Sequence, residues 1–259
     1  MTSISAIIIT RNAQHYIETC LNSVSWCDEI IVVDNGSADN TVALCRRYTD
    51  KIWITPDWPG FGPQKNRALH YAQGEWILSV DADEQLTAEL TVQIQNTIHQ
   101  PQGYSAFKLS RLSRYGQRWI YHSGWRPDYV IRLFKRHCAR FSDDLVHEQV
   151  QVLQGPIGLL TAPLLHYPFD TLEQVLNKLN HYSSASAQML YAQGQRSSLK
   201  KAILHGLWAF VRTYIFKRGF LDGREGFMLA VSNAEGSYYR YLKLMYLHHA
   251  YNQYHRDHL

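Results

Sequence analysis

EWILSVDADE, residues 75–84, is the stretch that decides the fold of this chain. It opens with an apolar run typical of a strand buried on both faces, and it ends in closely spaced acids. Two similar runs precede it, Ile4–Thr10 (ISAIIIT) and Glu29–Asp34 (EIIVVD), with helical spacing between them. Strands that alternate with helices predict βαβ units and a mostly parallel sheet, which is an α/β fold.

The rest of the chain predicts further elements around this sheet. Gly74 is a good residue to end the helix before the decisive strand. From Thr171 onward the pattern is helical, so we predict two regions, residues 1–168 and residues 169–259. The other predicted helices are Ala13–Ser23, Thr41–Tyr48, Gln64–Gln73 and Thr87–His99, and the other predicted strands are Lys51–Ile54, Tyr104–Leu109, Tyr129–Phe134 and Glu148–Leu153.

Composition excludes several classes of protein. The 259 residues are 46% hydrophobic and 13% aromatic, which is unlike a disordered chain. The four cysteines show no C-x-x-C spacing, so a zinc or redox motif is not expected, and free thiols suit a reducing cytoplasm. The N-terminus has no basic segment typical of a signal peptide, and no apolar run reaches the ~18 residues of a membrane span.

The positive charge is concentrated near the C-terminus. Residues 195–259 hold ten Lys or Arg and four Asp or Glu, within a net charge of +4 for the whole chain. From Leu199 to Ile215, apolar residues recur at helical spacing among basic residues and Trp208. This pattern predicts an amphipathic segment that binds an anionic membrane surface. The alternative is that the apolar stripe packs on the protein core.

Polar residues follow the predicted parallel strands. Thr10 and Arg11 end the first strand, Asp34 ends the second, and Asp81 and Asp83 end the fourth. In an open parallel sheet, ligands bind at the carboxyl ends of the strands. Asp often begins a turn, so any one of these residues alone would favour a structural role. Together they predict a binding site at one edge of the sheet.

The Asp81-Ala82-Asp83 stretch predicts a metal-assisted diphosphate site. Two carboxylates this close repel one another unless a cation lies between them, and oxygen ligands suit Mg²⁺ or Mn²⁺. Such ions complete their coordination with substrate phosphates, which implies a diphosphate ligand. The sequence has neither a P-loop nor G-x-G-x-x-G after the first strand. Lys65 and Arg67, at the start of a predicted helix, are the candidates to hold the phosphates.

Seven stretches of the chain are informative together: IIITRNAQHYIETCLNSV (7–24), SWCDEIIVVDNGSADNT (25–41), WPGFGPQKNRAL (58–69), LSVDADE (78–84), RFSDDLVHE (140–148), LLHYPF (164–169) and KRGFLDGREGF (217–227). In this order they resemble family 2 glycosyltransferases of the GT-A fold. Over most of the chain, the resemblance is to lipopolysaccharide inner-core glucosyltransferases of the WaaE/KdtX/LgtF type, which implies transfer of β-linked glucose to core heptose. The GT-A domain would be residues 1–168.

The resemblance implies a role for each residue at the strand ends. A UDP-sugar, UDP-glucose above all, would be the donor. Thr10 and Arg11 would lie by the nucleotide, and Asp34 would bind the uracil ring. Lys65 and Arg67 would lie against the nucleotide and its phosphates. Asp81 would lie near the ribose and the metal, and Asp83 would be the direct metal ligand. His166 would be either a further metal ligand or a structural histidine.

The general base and the acceptor site are harder to assign. Inverting transfer needs a carboxylate that takes the proton of the acceptor hydroxyl. We expect Glu148 to be this base, with Asp144 as the alternative. An indole stacks on a sugar and Arg binds phosphate through two hydrogen bonds. The residues expected to bind the acceptor, or else to lie on ordinary surface, are Trp125, Arg126 and Arg132.

The sequence thus predicts an inverting, metal-dependent glycosyltransferase. Its acceptor would be the lipopolysaccharide core or another lipid-linked glycan, and it would lie in the cytoplasm, peripheral to the inner membrane face. Oligomeric state is left open. One alternative is a nucleotidyltransferase, and another is a non-catalytic protein that binds polyanions or membranes. Nucleic acid is not an expected partner, because the strand-end acids would repel its phosphates without a metal.

Overall fold

The computed structural model describes residues 2–142, 149–169 and 171–257, with side chains described as far as residue 248. The chain forms two compact units. The first comprises Met1–Leu112 and Pro127–His166, and the second comprises Ser113–Arg126 and Tyr167–Leu259. The division after His166 lies close to the predicted boundary after residue 168. The short segment 113–126, which we predicted to belong to the first region, instead belongs to the second unit.

The first unit is built on a mixed sheet whose centre is parallel, which confirms the predicted fold class. In the described residues the strand order is β3-β2-β1-β4-β8-β6-β11-β5. The first four strands in this order are parallel, and β8 is antiparallel to β4. β9 and β10 form a separate two-stranded sheet, and β7, which pairs with the end of β6, belongs to the second unit. The strands of the described residues are β1 (Ile4–Thr10), β2 (Glu29–Asp34), β3 (Ile52–Ile54), β4 (Trp76–Ser79), β5 (Glu84–Leu86), β6 (Ala106–Tyr115), β7 (Arg118–Trp119), β8 (Tyr129–Lys135), β9 (Ala139–Phe141), β10 (Val150–Val152) and β11 (Ile157–His166).

The apolar runs form central strands because both faces of the sheet are covered. In β1, Ile4 and Ile8 pack in one apolar cluster, whereas Ile7 packs in a second cluster. Successive side chains of a strand point to opposite faces, so a continuous apolar run is needed here. The helices of this unit are α1 (Ile17–Ser23), α2 (Thr41–Cys45), α3 (Phe61–Tyr71) and α4 (Ala88–His99).

Gly74 has a different role from the one predicted. Helix α3 ends at Tyr71, and Gly74 is not in a left-handed conformation. A Cβ atom on Gly74 would lie 2.6 Å from the Ser5 Oγ atom, and the Gly74 amide donates a hydrogen bond to that oxygen. Glycine is therefore needed here for the close approach of two backbones rather than to cap a helix.

The long strand β11 was not predicted by the sequence, although it positions a candidate site residue. It runs antiparallel to the short strand β5, with Leu164 opposite Leu86 and His166 opposite Glu84. The β11 sequence is not a continuous apolar run, because Pro163 lies within it and Pro156 directly precedes it. Pairing with β5 brings the end of β11 to the residues that follow β4.

The second unit is mainly helical, as predicted. Thr171 and Ser198 begin two of its helices, and their hydroxyl groups accept hydrogen bonds from the amides of Gln174 and Lys201. No helix in the described ranges is both long and apolar enough to cross a bilayer. The helices are α5 (Leu172–Ala192), α6 (Leu199–Val211) and α7 (Gly223–Asp257), with a π-helical segment (Arg212–Phe216) and a 3₁₀ turn (Gly219–Asp222) between the last two.

Candidate functional site

The carboxyl ends of the parallel strands meet at one edge of the sheet, as the sequence predicts. Thr10 of β1 lies beside Asp34 of β2, and Asp81 follows β4 on the other side of β1. The Thr10 hydroxyl is buried and has no hydrogen-bond partner among the described residues. Arg11 is exposed. This edge therefore combines a buried polar atom that lacks a partner with an accessible cation, which suits a polar ligand.

Asp34 organises the turn after β2. Its carboxylate accepts a hydrogen bond from the Ser37 amide at 2.8 Å and one from the Ser37 hydroxyl at 2.5 Å. The Asp34 side chain is fully buried. Contact with a uracil ring stays a prediction for Asp34, and in this structure both carboxylate oxygens are used to hold the turn.

Asp81 lies between two buried cations. Its Oδ1 atom is 2.8 Å from the Lys65 Nζ atom, and its Oδ2 atom accepts a hydrogen bond from the Arg132 guanidinium. Burial opposes ionisation of the Asp81 carboxyl, but Arg132 and Lys65 outweigh it and hold its pKa well below the usual range. Asp81 is therefore a fixed anion at the strand edge.

Glu84 extends this cluster into the protein. It is fully buried, and its Oε1 atom accepts a hydrogen bond from Arg132 at 2.8 Å. Its Oε2 atom accepts a hydrogen bond from the Asp81 amide, so the Glu84 side chain fixes the backbone of the Asp-x-Asp stretch. Arg111 lies 3.5 Å from Glu84 and 2.8 Å from Asp128. The sequence pattern does not predict this role of Glu84, although Glu84 directly follows Asp83 in the chain.

Arg132 does not have the acceptor-binding role that we predicted. Its side chain is buried and binds Asp81 and Glu84. Despite the burial, these two carboxylates raise the pKa of its guanidinium above the usual range. The reason is its place on β8, the strand beside β4, where an inward residue meets the acids that follow β4. Arg132 therefore positions Asp81 and Glu84 and does not lie on the surface where an acceptor would bind.

Asp83 and His166 come together at the end of the cluster. The His166 Nε2 atom lies 3.6 Å from an Asp83 carboxylate oxygen, and Asp83 is partly exposed. No group of three or more His, Cys, Asp or Glu side chains in the described ranges has the arrangement of a metal site. A hard cation bound mainly by substrate phosphates needs only one or two protein carboxylates. Asp83 and His166 fit such an ion, whereas both Asp81 oxygens already bind cationic side chains.

Arg67 is held by side chains other than those of the Asp81 cluster. Its guanidinium donates two hydrogen bonds to the Asp57 carboxylate, at 3.1 and 2.5 Å. A third hydrogen bond, at 3.0 Å, goes to the Gln64 side-chain oxygen. Lys65 on the same helix binds Asp81 instead, so the two cations predicted for phosphate binding have different partners. Phosphate binding by Arg67 stays a prediction and would compete with Asp57.

The remaining predicted site residues lie elsewhere. Trp125 and Arg126 belong to the second unit, where the Arg126 guanidinium lies over the Tyr121 ring. Glu148 and Asp144, predicted as the base and its alternative, lie outside the described residues. The described site therefore brings together paired anions and cations at the sheet edge, while diphosphate binding and the identity of the proton acceptor stay predictions.

Comparison with known proteins identifies the family. The family model described as glycosyl transferase family 2 matches residues 5–155, more than half of the chain. The chain belongs to glycosyltransferase family 2. The match includes Asp81, Asp83, Glu84 and Arg132 of the cluster at the sheet edge, whereas His166 lies beyond the end of the match. This membership sets aside the nucleotidyltransferase and the non-catalytic binding protein as alternatives.

Two curated relatives are similar over nearly the whole enzyme. An uncharacterized glycosyltransferase of Rickettsia typhi is 32% identical over 255 residues, which cover 94% of this chain and 87% of the relative. The lipopolysaccharide core biosynthesis glycosyltransferase LpsC of Rhizobium meliloti is 29% identical over 242 residues, which cover 89% and 87%. The similarity therefore includes the helical unit as well as the matched domain.

A solved structure supports the fold. The crystal structure of residues 1–349 of Staphylococcus aureus TarS in complex with UDP matches with a TM-score of 0.50. The match has 18% sequence identity and covers 95% of this chain and 91% of that one. At this identity the likeness concerns the fold alone.

Proposed function

We propose that this enzyme transfers glucose, with inversion, from UDP-glucose to a hydroxyl group of the lipopolysaccharide core or another lipid-linked glycan. The observation that carries the proposal is the cluster at the edge of the parallel strands, where Asp81 is held as an anion between Lys65 and Arg132 beside the Asp83–His166 pair. TarS in complex with UDP and LpsC, named for lipopolysaccharide core biosynthesis, support the donor and acceptor classes.

The reaction is a single displacement at the anomeric carbon. The acceptor oxygen forms a bond to this carbon as the bond to the UDP oxygen breaks, and the electron pair leaves with UDP. Glu148, or Asp144 as the alternative, takes the proton of the acceptor hydroxyl. Lys65 supplies positive charge beside the site of the diphosphate, where negative charge develops.

A divalent cation belongs to this proposal. When bound, Mg²⁺ or Mn²⁺ would neutralise negative charge on the leaving diphosphate. Asp83 and His166 are the residues that would hold it, because their side chains lie together and Asp83 is accessible. The predicted coordination by Asp81 would require Lys65 or Arg132 to release one of its oxygens.

The test of this proposal is a transfer assay with product analysis. The enzyme is incubated with Mn²⁺, lipopolysaccharide truncated at its core heptose, and UDP-glucose, UDP-galactose or UDP-N-acetylglucosamine in turn. We expect transfer from UDP-glucose and a β-linked product by NMR. Transfer only from another UDP-sugar would correct the donor, and an α-linked product would overturn the inverting mechanism.

We further propose that the second unit binds the inner face of the cytoplasmic membrane. Large apolar side chains of α6 and the following π-helical segment are exposed, with Leu207 60% and Phe216 66% accessible. Exposed basic residues, Lys200 and Arg218 among them, flank them. Apolar groups that insert between lipids beside cations that attract anionic headgroups are the features of an interfacial helix. An anionic bilayer surface would contact both the exposed apolar side chains and the basic residues beside them.

A further inference from the structure

The second unit contains a cavity of about 530 Å³ that no part of the proposed reaction uses. This volume is within the range of small-molecule sites, roughly 300–1,000 Å³. Every residue that lines it belongs to the second unit. Helices α5 and α7, the π-helical segment and the loop around Trp125 form its walls.

The charge of the cavity is one-sided. Four cationic side chains line it: Lys178, Arg212, Lys217 and Arg240. No acidic side chain in the described ranges lines it. The Arg240 Nε atom is buried and has no hydrogen-bond partner among the described residues. The Lys178 ammonium already lies over the Phe169 ring. Arg212, Lys217 and Arg240 add positive charge to the wall, so an anion that enters the cavity gains favourable charge interactions.

Hydrogen bonds hold the rim of the cavity in place. Asp222 is buried and accepts hydrogen bonds from the amides of Tyr121 and His122 and from the Ser123 hydroxyl. The Ser123 amide donates to the Lys217 carbonyl at 2.8 Å. The cationic segment is therefore tied to the loop that carries Trp125. A rim that is ordered before the ligand arrives lowers the entropic cost of binding.

Gly124 lets the Lys217 side chain lie against this loop. Gly124 has a φ of +82°, a conformation that L-residues rarely adopt. A Cβ atom at Gly124 would lie 3.4 Å from the Lys217 Cγ atom, so the lysine stem is already in close contact with the glycine. The backbone thus places the lysine along the cavity wall.

Aromatic rings form another part of the lining. Trp125 and Tyr115 pack edge to face with ring centroids 6.0 Å apart, and Phe169 lies against Tyr115. All three rings line the cavity. Aromatic faces stack on the apolar faces of sugar rings, and guanidinium groups bind phosphate oxygens through paired hydrogen bonds. The lining therefore combines recognition of a saccharide with recognition of an oxyanion.

We propose that this cavity binds a phosphorylated saccharide, as a subsite for a phosphate-bearing part of the acceptor. A phosphate monoester carries about −1.5 to −2 charge and three strong acceptor oxygens, which suits Arg212, Lys217 and Arg240 better than a single carboxylate does. The link to the acceptor rests on the proposed function, whereas binding of a phosphorylated sugar rests on the cavity alone. This site is separate from the predicted phosphate contacts of Lys65 and Arg67.

The test compares two double variants by calorimetric titration. Arg212→Gln with Lys217→Gln removes two cations that line the cavity. Lys200→Gln with Arg218→Gln removes two exposed cations of the same region that do not line it. The probes are glucose 6-phosphate, glucose, glucuronate and inorganic phosphate. All four substituted side chains are exposed, so both variants are expected to fold, and their thermal midpoints check this.

We expect wild type to bind glucose 6-phosphate at least tenfold more tightly than glucose, glucuronate or phosphate. The cavity variant should lose at least tenfold in affinity, and the matched variant less than twofold. Equal losses in both variants would mean general attraction of anions and would overturn the proposal. Tighter binding of glucuronate, or displacement of glucose 6-phosphate by vesicles of anionic phospholipid, would overturn the choice of a phosphorylated sugar.

UDP titration on the same samples separates this proposal from the proposed function. Both double variants should bind UDP with Mn²⁺ as wild type does, because none of the substituted residues is among those proposed to bind the nucleotide or the metal. Loss of sugar-phosphate binding with normal UDP binding supports the cavity. Normal sugar-phosphate binding in an enzyme that fails to bind UDP would overturn the donor assignment and leave the cavity proposal standing.

Discussion

The sheet edge of the first unit and the cavity of the second unit both concentrate cationic side chains, but they differ in what balances them. At the sheet edge, Arg132 and Lys65 bind Asp81, and Arg132 also binds Glu84. In the cavity, Arg212, Lys217 and Arg240 line the wall, and no acidic side chain among the described residues lines it. Paired charges at the sheet edge should hold the side chains of the proposed catalytic site in place, whereas the cations of the cavity should bind the proposed anionic ligand.

The largest effect is expected from the accessible acid of the balanced cluster. Asp83→Ala should lower transfer at least ~10³-fold, because it removes a carboxylate that would hold the metal at the leaving diphosphate. Its thermal midpoint should stay close to that of wild type, since Asp83 is partly exposed. Initial rates at saturating UDP-glucose and Mn²⁺ measure this change. Activity within tenfold of wild type would remove Asp83 from the metal site.

The buried core of the same cluster should matter for stability. Arg132→Met leaves Asp81 and Glu84 without their shared cation, and removal of one partner of a buried pair typically costs about 3–5 kcal/mol. Arg111→Met is the matched control, because Arg111 contacts Glu84 at 3.5 Å and is more exposed. Urea unfolding of both variants gives the comparison. A loss for Arg132→Met no larger than that of the control would show that the cluster is not a tightly balanced unit.

Membrane binding should depend on Leu207 and Trp208, two exposed apolar residues of the second unit that do not line the cavity. Leu207→Ser with Trp208→Ser should weaken partition to anionic vesicles at least tenfold, or roughly 1.4 kcal/mol, because both side chains are exposed on α6. Tyr246→Ser removes an exposed aromatic side chain on α7 and serves as the control. Vesicle sedimentation measures the partition. Equal binding of both variants and wild type would remove this face as the membrane contact.

The smallest effect is expected at the opposite end of the parallel strands. Burial of Glu29 opposes its ionisation, but hydrogen bonds from Lys51, Ser5 and the Gln73 amide outweigh this and lower the pKa of its carboxyl. Its contribution to stability is therefore present above the unfolded pKa of about 4.3 and is lost as pH falls towards the lower folded pKa. Glu29→Gln should cost less than ~1 kcal/mol at pH 7, because the pair is partly screened by solvent.

Unfolding at pH 7 and pH 3 measures this dependence. The difference between Glu29→Gln and wild type should shrink at the lower pH. A difference that grows as the pH falls would reverse the sign of the assigned pKa change. The Glu29–Lys51 ion pair should therefore contribute less to the free energy of unfolding than the buried Arg132 cluster does.

The sequence predicts the centre of the fold because its signals are local. The apolar runs of β1, β2 and β4 and the acids that follow them lie in short segments, and the parallel register places their ends at one edge. The capping residues Thr87 and Thr171 are likewise local signals, and both begin helices as predicted. Family resemblance adds the class of enzyme, a family 2 glycosyltransferase, which the family model confirms.

The contacts that the sequence does not predict join distant segments. Arg132 lies 51 residues from Asp81, and the two meet because β8 enters the sheet next to β4. Composition shows that the C-terminal region is basic, but not that Arg212 and Arg240 line one cavity, because helix packing decides this. His166 reaches Asp83 through a strand whose pattern is too irregular to predict.

Thermal unfolding with UDP-glucose, with and without Mn²⁺, for wild type and Asp83→Asn asks whether the sheet edge binds a diphosphate through a metal. A ligand at ~100 times its Kd stabilises by about 2.7 kcal/mol, which raises the unfolding midpoint by several degrees. We expect this rise for wild type only when Mn²⁺ is present, and we expect Asp83→Asn to lose it. An equal rise in both proteins without Mn²⁺ would contradict a metal-assisted diphosphate site at the edge of the sheet.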